Sequence, residues 1–164
     1  MGEGILTFGR SLHNIPTINH EIYIEAPVEV CFDLARNVDV HTETTGKTKE
    51  RAVAGVTSGL MEKGDSVTWE AIHLGVKQKL TGKIIEMEKP HSFTDAMVKG
   101  AFHSFTHMHE FIGKGSGTVM KDRFVYRSPL GVLGKIADKL FLEKYMTRFI
   151  TERAIELKRI AERD

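Results

Sequence analysis

The 164 residues are 41% hydrophobic and 27% charged, a soluble balance that excludes disordered and fibrous classes and suits one domain over 1–164, its core at about 18–162. Lys plus Arg number 23 against 22 Asp plus Glu, a formal net charge of +1. That lacks the basic surplus a phosphate backbone rewards, so nucleic acid is not an expected partner.

Neither a secretory leader nor a run of the roughly 20 apolar residues needed to span a membrane is legible, so a cytoplasmic location is the expectation. The single cysteine, Cys31, excludes an intrachain disulfide. Its setting in Val30-Cys31-Phe32 reads as a packed thiol.

In chain order, Ile18 to Ile24 alternate with period two, Ile18, His20, Ile22 and Ile24 sharing one face, which predicts an opening strand. Ala26-Pro27 breaks it. Pro27 suits the first position of a helix, and Val28, Cys31, Phe32 and Ala35 follow at helical spacing to near Asn37. Asp39 to Thr45 suggests a further short helical turn, weakened by its threonines. From about Lys47 to Arg127 six strand-like runs are punctuated by glycine and proline turns, such as Lys63-Gly64-Asp65 and Gly113-Lys114-Gly115-Ser116-Gly117. Short connections of that kind predict an antiparallel meander. Beyond Pro129-Leu130-Gly131 the pattern is helical to the end, near 30 residues, with Phe141, Tyr145 and Phe149 forming an aromatic row at i, i+4, i+8. The expected class is α+β.

The strand from Phe102 to Phe111 puts His103, Phe105, His107, His109 and Phe111 on one face. After the glycine turn, Met120, Asp122, Phe124 and Tyr126 share a face that the hairpin brings alongside, with His107 and Asp122 as the expected cross-strand neighbours. Trp69 and His73 lie on one face of an earlier strand, and Phe93, Asp95 and Met97 on one face of another. Apolar walls with a few convergent polar groups describe a ligand cavity better than a solid core, which seldom holds several buried polar groups. The candidate ligand-binding residues are therefore Trp69, His73, Phe93, Asp95, Met97, Phe105, His107, His109, Phe111, Met120, Phe124 and Tyr126, with Phe141, Tyr145 and Phe149 from the helix. On the outer faces, Met108, Ile112, Val119 and Val125 lie close enough to offer a homodimer contact or a partner surface. Lys77, Lys79 and Lys83 read as a solvated convex face.

Several segments, Ile24 to Leu34 with its Ala26-Pro27-Val28, Phe93-Thr94-Asp95, Gly100-Ala101-Phe102 leading to His107-Met108-His109-Glu110-Phe111, and Asp122 to Tyr126, resemble the START-like/Bet v 1-like helix-grip superfamily. Among its members the chain is similar to the ligand-binding SRPBCC family of polyketide cyclase/dehydrase and lipid transport-like proteins. The resemblance covers about Ile18 to Glu162. It implies a curved seven-stranded antiparallel sheet wrapped around a long C-terminal helix, short helices after the first strand, and an internal pocket for a lipid, an isoprenoid or an aromatic polyketide. Fold alone does not decide between carrier and enzyme.

For chemistry, His107 or His109 could move a proton while Asp122 orients the imidazole, as a cofactor-free cyclase, dehydratase or hydrolase requires. A metal held by His103, His107, His109 and Asp122 is the competing reading, but same-face residues along one strand stand about 7 Å apart and coordination needs convergence. No metal and no cofactor is therefore expected. Nucleophile-elbow, phosphate-loop, Cys-x-x-Cys and dinucleotide signatures are all missing.

Overall fold

The computed structural model describes residues 15–73, 75–128 and 141–163. Strand β1 (Thr17–Ile24) leads through Ala26 and Pro27 into helices α1 (Val28–Ala35) and α2 (Val38–Thr44). Six strands follow: β2 (Arg51–Gly55), β3 (Ser66–His73), β4 (Val76–Glu88), β5 (Ser92–Lys99), β6 (Ser104–Lys114) and β7 (Gly117–Arg127). Helix α3 (Glu143–Ala161) closes the described chain. The Pro129-Leu130-Gly131 start of the expected long helix lies outside the described residues.

Local chemistry accounts for these boundaries. Pro27 sits at the N-cap of α1, one position earlier than its expected place, where its missing N–H costs no helical bond. Asn37 caps α2 with its side-chain oxygen, accepting from the backbone N–H groups of Asp39 and Val40. That cap stabilises a helix whose threonine-rich sequence has weak propensity. Gly115, at φ 61°, takes the first position of the two-residue β6–β7 turn, which needs a left-handed residue there.

All seven strands form one antiparallel sheet in the order β1-β7-β6-β5-β4-β3-β2. Register breaks between Ala52 and Ala54 in β2, and at Thr81/Gly82 and Ile84/Glu86 in β4, bend the sheet where the ladder gains a residue. Along the concave face the sequence alternation is reproduced in burial: Phe105, His107, His109 and Phe111 point inward from β6, and Met120, Asp122, Phe124 and Tyr126 from β7. Helix α3 lays Met146, Ile150, Ala154 and Leu157 against this face, one per helical turn.

Two apolar clusters result. In one, Phe32 of α1 wedges edge-on between Phe93 and Phe111, with ring centroids at 5.8 and 5.6 Å, and Cys31 is fully buried beside it. The other gathers Ile18, Phe105, Phe124, Tyr126, Met146 and Ile150. No described helix is long and apolar enough to cross a membrane.

Candidate functional site

Between the two clusters lies a cavity of about 300 Å³, walled by strands β3 to β7, by α1 and α2, and by the inner side of α3. Its walls are mainly apolar, from residues such as Leu80, Phe105, Met120, Phe124, Phe149 and Leu157. Two polar groupings break them.

The first grouping spans β5, β6 and β7. His109 and Asp122 are direct cross-strand partners, with His107 diagonal to Asp122 and facing Phe124 in register. The two imidazoles lean together until their centroids are 3.9 Å apart. His107 Nε2 is 3.0 Å from Asp122 Oδ1 in a hydrogen bond, and His109 Nδ1 lies 2.8 Å from the same oxygen, out of line for one. His109 Nε2 stands 3.3 Å from Asp95 Oδ2, across the β5–β6 pair. His20 of β1 brings Nδ1 to 3.8 Å from the other oxygen of Asp122.

Burial raises a carboxyl's pKa, but in Asp122 the hydrogen bond from His107 and the close imidazoles of His109 and His20 outweigh it and hold the group well below the usual carboxylate range. Burial likewise opposes charge on both imidazoles. For His107 it prevails, aided by the neighbouring His109, and the pKa falls. For His109 the carboxylates of Asp122 and Asp95 prevail, and the pKa rises. Adjacent imidazoles are thus driven apart, His107 toward its neutral form and His109 toward its charged one.

The second grouping joins α2, the start of β2, the end of β3 and α3. His41 Nε2 lies 2.6 Å from Glu50 Oε2, Thr48 donates to Glu50 Oε1 at 3.2 Å, and His73 Nε2 is 3.5 Å from that same oxygen. His73 Nδ1 then meets the Tyr145 hydroxyl at 2.8 Å. His41 stacks flat on Trp69 with centroids 4.0 Å apart. Arg153 reaches the cavity from α3, giving one N–H to the carbonyl of Ala35, while its Nε has no hydrogen-bond partner among the described residues.

No family model and no curated protein matches the sequence. Solved structures do. TTHA0849 from Thermus thermophilus superimposes with a TM-score of 0.73 at 20% identity, covering 88% of this chain and 95% of that one. A START superfamily protein from Mycobacterium smegmatis gives 0.70 at 11% identity over 89% and 97%. Major latex-like protein 151 from Panax ginseng gives 0.68 at 13% identity over 90% and 98%. This chain has the START-like helix-grip fold.

Within that helix-grip frame, the cavity lining includes Trp69, His73, Phe93, Asp95, Phe105, His107, His109, Met120, Asp122, Phe124, Tyr145 and Phe149. Four expected residues stand elsewhere. Phe111 is shut off by α1, its ring against Phe32. Tyr126 is buried behind Phe124 and Phe102, at 5.6 Å from each ring. Met97 packs in the second apolar cluster beside Leu80. Phe141 is 70% exposed: it and Leu142 are wound as a π-helix ahead of Glu143, which puts it out of step with Tyr145 and Phe149.

His103 also departs from expectation: it lies before the first residue of β6, is exposed, and belongs to no cluster. The cross-strand partner of Asp122 is His109 rather than His107. On the outer face Met108 and Ile112 are exposed, whereas Val119 is buried between Tyr23 and Ile112 in register. His41, Glu50 and Arg153 were not legible as site residues. Their positions carry no common period, and only the folding of α2 and α3 over the sheet brings them to one cavity.

Proposed function

We propose that this protein binds a hydrophobic small molecule, of lipid, isoprenoid or aromatic polyketide type, in the cavity between sheet and α3. The observation that carries the reading is the mainly apolar cavity with two polar groupings in its wall. Its volume of about 300 Å³ sits at the lower end of the range for small-molecule sites. The resemblance to ligand-binding SRPBCC proteins points the same way. In this reading the whole chain works as one START-like unit, and the Tyr145 hydroxyl, with the groups around Asp122, fixes the polar end of the guest.

Trp69 is the single tryptophan and lines the cavity, so its emission reports occupancy directly. Native mass spectrometry of freshly purified protein should reveal a retained small molecule, and adding an extracted lipid or a naphthalene-type probe should change Trp69 emission saturably. Ala71→Phe, which fills the cavity from β3, should abolish both signals. Absence of any retained mass together with an unresponsive Trp69 would overturn the proposal.

A second reading draws on Asp122 gripping two imidazoles at the cavity wall: a cyclase, dehydratase or hydrolase in which a histidine moves a proton. It predicts that His107→Ala or Asp122→Ala abolishes turnover and leaves ligand affinity mostly intact. Loss of affinity in step with turnover would instead assign those residues to binding.

A further inference from the structure

We propose that Asp95, His107 and His109 form a binding site for a divalent transition-metal ion, with an open coordination position facing the cavity. Such a site does not depend on the identity of any organic ligand. Its basis is a convergence that the sequence did not reveal. Same-face residues on a strand are about 7 Å apart, yet here each of the three can bring one ligand atom within 4.8 Å of the others. The third ligand comes from β5, across the ladder, in place of the exposed His103.

The spacing within the cluster suits coordination. Two donors of one tetrahedral ion, each at 2.0–2.1 Å from it, stand about 3.4 Å apart. Asp95 Oδ2 and His109 Nε2 are 3.3 Å apart, so one ion can take both with little movement. The outer arrangement also fits. Asp122 lies beside the other nitrogen of His109 at 2.8 Å and accepts a hydrogen bond from His107, the carboxylate–histidine–metal relation that fixes ring orientation in metal sites.

The local charge also suits a cation. Asp122 is buried and Asp95 half-buried, and among the described residues neither has a lysine or arginine within 4 Å; their ion-pair partners are histidines alone. Buried carboxylates in proteins are paired with fixed cations, hydrogen-bonded, or bound to metals. Two imidazoles and one carboxylate make a borderline donor set that selects zinc, cobalt or iron(II) over magnesium or calcium. Three protein ligands leave a fourth position, and the cavity is where it opens.

The test uses the full chain, stripped with a chelator and titrated with Zn2+ by calorimetry and with Co2+ by visible absorption. One equivalent should bind, and the Co2+ form should develop the intense ligand-field bands of four- or five-fold coordination. Asp95→Asn, at a half-buried position that tolerates the isosteric change, should abolish the bands while circular dichroism stays unchanged. Asp122→Asn should weaken affinity 10–100-fold, as loss of an outer carboxylate does. Glu86→Gln, at an exposed position of β4, should bind as the parent does. No stoichiometric binding by the folded parent overturns the site, and so does binding that survives Asp95→Asn or is lost with Glu86→Gln. Because the metals are probed alone, a negative result leaves the small-molecule reading standing, and a positive one does not require it.

Discussion

His41 illustrates how a single side chain acquires its chemistry from burial. Its pKa is lowered from 6.5, chiefly by burial and then by the charge of Arg153, against the pull of Glu50. Stacked at 4.0 Å on Trp69, it makes the indole a reporter of its own protonation, since an imidazolium quenches indole emission more strongly than neutral imidazole does. Tryptophan emission should therefore fall on acidification with a midpoint below 6.5, and His41→Gln should remove that transition. A midpoint at or above 6.5 would contradict the burial argument. At this scale the sequence was legible where neighbours in space are neighbours on a strand. The alternation around His107 and His109 announced their shared inward face, and Cys31 in its apolar run announced a packed thiol. It was silent about Glu50, which gains its meaning from His41 on one side and His73 on the other. No local spacing links those three.

At the scale of elements, α1 is held to the sheet mainly through Phe32, whose ring contacts Phe93 and Phe111 edge-on. A helix of eight residues has little stability of its own, so its place depends on this wedge. Phe32→Ala should cost about 3–5 kcal/mol, read as a lower midpoint in urea unfolding at unchanged m-value. A loss under about 1 kcal/mol, far short of the usual cost of such a truncation, would mean that α1 is anchored elsewhere. The strands were the most legible elements, because glycine turns marked their ends and alternation marked their faces. The β6–β7 hairpin follows the expected fold about Lys114 to Ser116. Side-chain neighbours within it were harder to read. Pairing in register puts His109 opposite Asp122, but the lean of the rings lets His107 reach the same carboxylate diagonally. Helix periodicity located the buried stripe of α3 but misplaced Phe141, since a spacing of four assumes α-helical winding and Phe141 and Leu142 are wound as a π-helix. Correct spacing carries no information about phase where the winding changes.

For the whole molecule, the inner face concentrates groups whose titration couples folding to pH. Glu50, Asp95 and Asp122 all have pKa values below their ordinary ones, because histidine partners outweigh burial. A carboxylate of lowered pKa contributes stability that is present above the unfolded value, about 4, and is lost as pH falls toward the folded one. His41 and His107, with pKa values lowered below 6.5, take up protons more readily unfolded, so their contribution also declines as pH falls below 6.5. His109, raised above 6.5, acts oppositely, its contribution being present below 6.5 and lost as pH rises through the folded value. His41 and His107 outnumber His109, so unfolding free energy should begin to fall below about pH 6.5, and it should fall more steeply below about pH 4.5 as the carboxylates protonate, the part of the slope that Glu50→Gln should flatten. A stability maximum at acidic pH would refute this account. The architecture was legible as a whole because layout survives where detail does not: one strand, short helices, a meander and a terminal helix admit few packings. The cavity's polar geography depends on α2 and α3 crossing the sheet, which no local pattern encodes.

The strand order carries a consequence for how the chain is made. β1 and β2 follow one another in sequence yet stand on opposite edges of the sheet, and β1 bonds to β7 alone, Thr17 opposite Val125. A ribosome releases β1 first and its partner last. Until the rest of the meander has emerged, the opening strand has no ladder to join, and the growing sheet presents a bare edge on its newest strand. Closing that span is a slow, long-range step. The exposed edge meanwhile is a natural place for a chaperone to attend, and once β7 docks, the earliest-made segment becomes the last piece of the sheet to settle.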